Sequence, residues 1–282
     1  MGKRIRLVAL DLDGTLLNSE KLISERNLQA LEELRARGIL MVPVTGRPAQ
    51  GIPQPVLELP GLRYAVTSNG ATIRDLVTGE TLLEKHLDAG RCLAVLEASR
   101  DFPMVREAFR AGVGYLSQAD YDILCARYAG TPMLPYLQST RQVLPGSVED
   151  FLRQDGRPVE ELFFLTDSVE TKSRLRKTLS ALPGIGFADP FPNDLEVIAG
   201  DIDKGTALVF LLDKLAIPRE ACLAMGDGGS DLPMLKAAGV GVAMAGSGEE
   251  LIQAADFVTT GCDEDGVAMA LERFVLESRK QP

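Results

Sequence analysis

The 282-residue chain contains no tryptophan, one histidine and only 5% aromatic residues. A single imidazole, His86, excludes a metal site built on several histidines and leaves a Ser-His-Asp triad nothing else to use. No nucleophile motif stands near it. The four cysteines, Cys92, Cys125, Cys222 and Cys262, are far apart and form no C-x-x-C pair. That excludes a zinc ribbon and a redox dithiol and argues against a disulfide scaffold at this length, so they read as buried apolar residues. Basic residues are in deficit, 30 against 40 acidic, and the net charge of −10 has the wrong sign for binding a nucleic-acid backbone. No uncharged stretch supplies the roughly 18 to 20 apolar residues of a membrane span. The apolar run after the basic start, 7–10, is cut by Asp11 and Asp13, so no secretory core follows it. The expectation is a cytoplasmic protein without nucleic-acid or membrane partners.

What is present is a composition of 45% apolar and 25% charged residues, enough for a sizeable core and, at roughly 150 residues per domain, for two domains. Short apolar runs at 5–10, 39–44 and 64–67 predict buried parallel strands, each ending in polar residues. Between the first two, Ser24 is placed to cap a helix running to about Arg37. Ile23 and Leu28 would staple it, Leu28, Leu31 and Leu34 would face the core, and Gly38 would stop it. Residues 71–85 suggest a hairpin around Thr78-Gly79. The pattern then changes. Helices starting at Ser147 and Ser168, and strands near 104–108, 162–165, 186–188 and 195–199, describe an α+β unit. From Lys204 onward strand and helix alternate again, with strands at 221–225, 240–243 and 257–259. The predicted architecture is α/β: a doubly wound, mainly parallel sheet made by residues 1–85 and 200–282, interrupted by an inserted α+β domain at 86–199.

In such sheets ligands bind at the carboxyl ends of the strands, so distant residues converge there. Those ends carry Asp11, Asp13, Thr45, Asp227 and Asp231, and Lys204 enters at a helix start. Clustered carboxylates repel unless a cation sits among them, and Mg²⁺, which prefers oxygen ligands, is the natural occupant. Carboxylates on a magnesium ion beside a lysine, a threonine and glycine-rich turns suit a phosphoryl group. Asp11 could attack phosphorus, and Asp13 could protonate the leaving oxygen and later activate water.

The strings Asp11-Leu12-Asp13-Gly14-Thr15-Leu16-Leu17, Thr45-Gly46-Arg47, Ser68-Asn69-Gly70-Ala71, Lys204-Gly205 and Gly226-Asp227-Gly228-Gly229-Ser230-Asp231 resemble the haloacid dehalogenase superfamily. The closest similarity is to its Cof-type phosphatases with a type IIB cap. The motifs occur in the family's order over nearly the whole chain, with a cap-sized insert between the second and third. The resemblance implies a Mg²⁺-dependent phosphatase acting on a small phosphomonoester, such as a sugar phosphate, through an aspartyl phosphate, with 86–199 as a cap that sets specificity. It implies Asp11 as nucleophile and metal ligand, and Asp13 as acid and base with its backbone carbonyl on the metal. Leu12, Thr45, Gly46, Lys204 and Ser230 would surround the phosphate, and Asp227 and Asp231 would hold the metal. Ser230 stands where the family usually has Asn, which shortens that contact.

Arg47 and Asn69 are further candidates for substrate contact. Asn69-Gly70 otherwise reads as a left-handed turn, and Arg47, like Arg106, Arg127 and Arg141, as a surface residue. Lys204 would otherwise be a solvated lysine, Thr45 a helix cap, and Asp231 the N-cap of the next helix. A sugar phosphomutase using the same aspartyl phosphate and a non-catalytic phospho-ligand sensor are the alternative functions. A phospho-accepting receiver module leaves the inserted segment unexplained. The particular substrate and the oligomeric state are not legible.

Overall fold

The computed structural model describes residues 4–189 and 192–276. The chain divides into two compact units, Met1–Gly46 with Pro53–Leu83 and Asp203–Pro282, and Arg47–Ile52 with Glu84–Ile202. The strands in chain order are β1 (Leu7–Leu10), β2 (Leu40–Pro43), β3 (Tyr64–Thr67), β4 (Thr72–Asp75), β5 (Thr81–Glu84), β6 (Met104–Arg110) and β7 (Val113–Ser117). They continue with β8 (Arg141–Leu144), β9 (Glu161–Thr166), β10 (Ile185–Ala188), β11 (Asp194–Ala199), β12 (Cys222–Gly226), β13 (Val240–Ala243) and β14 (Phe257–Val258).

The first unit is built on a parallel sheet of order β14-β13-β12-β1-β2. The β1 sequence Leu-Val-Ala-Leu carries no polar residue because both of its faces are covered, and all four residues are inaccessible to solvent. Leu10 lies opposite Met225 of β12 on one side and Pro43 of β2 on the other, so the three strands end at one level. A parallel bridge between Val44 and Val66 brings in β3, which turns back antiparallel into β4 in a smaller sheet with β5. The first helix runs Glu25–Ala36, and Ser24 caps it by accepting a hydrogen bond from the Asn27 N–H. Its buried side is Asn27, Ala30, Leu31 and Leu34, while Leu28 is 41% exposed. The expectation that Leu28 faces the core is therefore not met: at 100° per residue, Leu28 falls outside the arc set by 27, 30, 31 and 34. Asn27 takes the place an apolar residue would have, because its side-chain oxygen receives the Ala268 N–H.

The second unit contains a six-stranded sheet of order β10-β11-β9-β6-β7-β8, antiparallel throughout except for the parallel pair β7 and β8. Val105, Leu116 and Leu165 from the sheet pack with Leu124 and Leu137 from helices Gln118–Arg127 and Met133–Thr140. These two helices, β7 and β8 were not predicted from sequence. Segment Arg47–Ile52, placed by sequence in the first domain, packs with this unit: the Arg47 guanidinium lies 4.5 Å from the centre of the Tyr136 ring and donates to the Gly51 carbonyl at 2.9 Å. Arg141, expected at the surface, is buried against Glu107 at 2.7 Å. Of the cysteines, Cys92 and Cys222 are buried as expected and Cys125 and Cys262 are half-buried. Among the described residues, no helix is long and apolar enough to cross a membrane.

Asp194 opens β11 opposite Leu165 and is 5% exposed. Burial pushes its carboxyl up to about 6, with Arg127 and Lys172 opposing the rise and Glu107 adding to it. A carboxyl that binds its proton more tightly when folded stabilises the protein only at low pH. The penalty for ionising it is absent below about pH 4 and complete above about pH 6. Asp194→Asn is therefore expected to raise the unfolding free energy by about 1–3 kcal/mol at pH 7.5 and to leave it unchanged near pH 4, as read from urea titrations at the two pH values.

Candidate active site

The site forms where β1, β2, β3 and β12 end. The Asp11 N–H donates to the Met225 carbonyl at 3.0 Å, which carries the β1–β12 pairing one residue past the strand and sets Asp11 beside the 226–231 turn. Ligand atoms of Asp11, Asp227 and Asp231 all lie within 4.8 Å of one another. Lys204 Nζ stands among them, 2.8 Å from Asp11 Oδ1 and 2.7 Å from Asp231 Oδ1. It is 3% exposed, so it is a buried cation and not a solvated lysine.

Local structure explains each placement. Lys204 is the first residue of helix Lys204–Lys214, which Asp203 caps through the Thr206 N–H. The helix start is pressed close to its neighbours: a Cβ on Gly205 would lie 2.4 Å from the Pro233 carbonyl oxygen, and one on Gly70 2.4 Å from that of Asp203. Asp231 precedes helix Leu232–Ala237 without capping it through its side chain. Its Oδ2 instead receives the N–H groups of Asp227 and Gly228, both at 3.0 Å, and closes the loop on itself. Asp227 receives the hydroxyl of wholly buried Thr15 at 3.1 Å.

The electrostatics follow from burial. The Asp11 carboxyl is held well above its ordinary range, first by burial, then by Asp231 and Asp227, with Lys204 opposing. Asp227 is pushed up to about 6 by burial and by Asp231, against Thr15 and Lys204. Burial alone would discharge Lys204, but attraction to Asp11 and Asp231 outweighs it and keeps the ammonium above its ordinary value. Three hard oxygen donors in a buried, mutually repelling group are the donor set a divalent cation satisfies, so the residues fit such an ion.

Thr45, Gly46 and Asn69 form the neighbouring wall. Thr45 is 1% exposed; its N–H donates to Val66 and its carbonyl accepts the Asn69 N–H at 3.1 Å. A Cβ on Gly46 would sit 3.2 Å from Asn69 Oδ1. Ser68, Asn69 and Gly70 all have positive φ, 48°, 53° and 101°, so the left-handed turn is present and three residues long. Such backbone costs free energy in Ser and Asn and persists only where the surroundings enforce it. Leu12 is wholly buried and its carbonyl accepts the Leu17 N–H at 2.8 Å. Ser230 lies half-buried in the turn Gly229–Asp231.

The Asp13 carboxylate is not one of the three clustered acids. Its Oδ1 pairs with Lys21 Nζ at 2.7 Å. Arg47 belongs to the second unit. Thr15 and Lys21 escaped the sequence reading as individual residues. Thr15 lies inside a motif that names it, but nothing in an eight-residue separation marks Lys21 as the partner of Asp13.

The profile of the haloacid dehalogenase-like hydrolase family matches residues 8–271. A 5-amino-6-(5-phospho-D-ribitylamino)uracil phosphatase of Bacillus subtilis is 28% identical over 277 residues, covering 96% of each chain. The crystal structure of a haloacid dehalogenase-like hydrolase from Bacteroides thetaiotaomicron has a TM-score of 0.78 at 30% identity, covering 96% of this chain and 99% of that one. The subclass IIB sugar phosphatase BT4131 shares the fold, with a TM-score of 0.81 at 23% identity over 95% of this chain and 98% of its own.

Gly14 has φ +80°, and a Cβ there would fall 2.3 Å from Asp227 Oδ2. Gly14→Ala is expected to lower the unfolding free energy by about 1–3 kcal/mol in a urea titration, through backbone strain and displacement of that carboxylate. Gly261→Ala, where the new methyl meets nothing within 4 Å, should stay within about 0.5 kcal/mol of the parent.

Proposed function

The chain belongs to the haloacid dehalogenase-like hydrolases, as a phosphatase of the Cof type, and from that premise we propose that it hydrolyses a small-molecule phosphomonoester, with Mg²⁺ as cofactor and Asp11 as nucleophile. The observation that carries this reading is the buried Lys204 held between Asp11 and Asp231, with Asp227 completing the acidic group. Asp11, Asp227 and Asp231 would hold the metal together with the Asp13 backbone carbonyl. When bound, the ion supplies positive charge that offsets the repulsion between an anionic ester and an anionic nucleophile.

The chain's own groups do the rest. Lys204 keeps Asp11 oriented and partly neutralised, so that the carboxylate can approach a phosphate dianion. An Asp11 oxygen bonds to phosphorus while the ester P–O bond breaks, and the departing oxygen takes a proton from the Asp13 carboxyl. In the second step the Asp13 carboxylate takes a proton from water, whose oxygen bonds to phosphorus as the Asp11 O–P bond breaks. The balance is ester plus water to alcohol plus inorganic phosphate. Thr45, the Gly46 and Leu12 N–H groups and Ser230 would bind the phosphoryl oxygens. Asn69 and Arg47 are proposed to contact the substrate, and residues 86–199 would form the cap that reads its organic part, a sugar or related metabolite. The uracil phosphatase of Bacillus subtilis acts on a phosphorylated ribityl compound, which supports a polyhydroxylated leaving group here.

A phosphate-release screen over sugar phosphates, nucleotides and phosphoglycolate with Mg²⁺ is expected to yield inorganic phosphate, and a chelator should abolish it. Asp11→Asn should lower turnover by at least about 10³-fold, whereas residual activity within tenfold removes Asp11 from the nucleophile's place. Mg²⁺ should raise the melting temperature of the parent and not of Asp227→Ala, and equal shifts in the two would remove Asp227 from the ligand set.

A further inference from the structure

The Asp13 carboxylate and the Lys21 ammonium meet across the loop that follows β1, with Oδ1 and Nζ 2.7 Å apart. The pair is partly open to solvent, with side chains 24% and 29% exposed, and such pairs add little to stability. Lys21 nevertheless sits at φ +63°, a backbone state that suits glycine and is costly for a residue with a Cβ. The surrounding hydrogen bonds enforce it. The Asn18 N–H donates to the Leu22 carbonyl and the Lys21 N–H to the Asn18 carbonyl, both at 2.9 Å. Asn18 Oδ1 receives the Glu20 N–H at 3.0 Å and the Leu22 N–H at 2.8 Å. The Ser19 N–H reaches Asp263 Oδ1 at 2.9 Å, which ties the loop to a distant segment. At the loop's other end Asp13 is bridged to Leu17, and Leu16 and Leu17 are sunk in the core. A relaxed loop would put glycine at position 21, yet this one holds a lysine in a strained state with its ammonium on Asp13.

We propose that Lys21 is the positioning residue for Asp13, anchoring Oδ1 so that Oδ2 is the oxygen that exchanges the proton with the leaving group and then with water. The inference rests on the phosphatase reading and deepens it. In the first step the proton passes from Asp13 Oδ2 to the ester oxygen as the P–O bond to that oxygen breaks. In the second, Oδ2 takes a proton from water as the water oxygen bonds to phosphorus and the Asp11 O–P bond breaks. A misdirected carboxylate fails most where the leaving oxygen most needs a proton. That dependence separates positioning from a general loss of structure.

The test compares 4-nitrophenyl phosphate, whose leaving group departs readily as an anion, with 4-nitrobenzyl phosphate, of similar size, whose alkoxide does not. Lys21→Met keeps the apolar stem without the charge, and Lys21→Gly removes the ammonium while relieving the backbone, so a melting temperature at or above that of the parent shows its fold intact. Both variants are expected to lose about tenfold or more in kcat/KM for the benzyl ester and less than about threefold for the phenyl ester. Lys21→Arg should restore the ratio to within about threefold of the parent's. A ratio unchanged in both Met and Gly variants, with the parent active on both esters, overturns the proposal alone. A parent that releases phosphate from neither ester nor from any compound of the phosphate-release screen overturns the phosphatase reading and this inference with it.

Discussion

Everything at the candidate site depends on keeping like charges together away from water. Asp11 and Asp231 share Lys204, and Asp227 lies within the same 4.8 Å group without an ammonium of its own among the described residues. The lysine offsets one negative charge of three, which leaves the group short of neutrality; burial first, and then this repulsion, raises the carboxyls of Asp11 and Asp227. Replacing the pair by apolar groups would suit the fold at least as well, since buried ion pairs rarely repay their desolvation. Their persistence is therefore a statement about chemistry. A buried site short of positive charge favours a cation and, through it, an anionic ligand.

The fold supplies that arrangement with short-range devices. Parallel strands in matched register end at one level, so residues about two hundred positions apart in the chain arrive together. Glycines then let the pieces close up. Gly14 lies against Asp227, Gly70 against Asp203 and Gly205 against Pro233, each at a distance no side chain would permit. The Asp231 carboxylate, by accepting the Asp227 and Gly228 N–H groups, stiffens the loop that carries its own neighbour.

Much of this was legible in the sequence, for identifiable reasons. Apolar runs such as 7–10 and 64–67 are bounded by polar residues, and Ser24, Ser147 and Ser168 each cap the helix that follows them. The strand-end acids are adjacent to those runs, so finding the runs located the acids. The second unit was less readable. Strand β8, Arg-Gln-Val-Leu, is short and only half-buried, and helix Gln118–Arg127 buries a single leucine, so neither has a strong period. Leu28 was misplaced because a leucine count says nothing about an asparagine that binds a helix end from inside the core. The Lys21–Asp13 pair depends on a backbone conformation at Lys21 that its side chain does not advertise.

The position of β1 in the sheet has a consequence for biogenesis. The strand leaves the ribosome some two hundred residues ahead of β12, its partner on one side. Until then a fully apolar strand has β2 on one edge and open hydrogen-bonding groups on the other, the surface on which nascent chains adhere to one another. The same central placement that gathers the acids thus leaves one edge of β1 unpaired for most of synthesis.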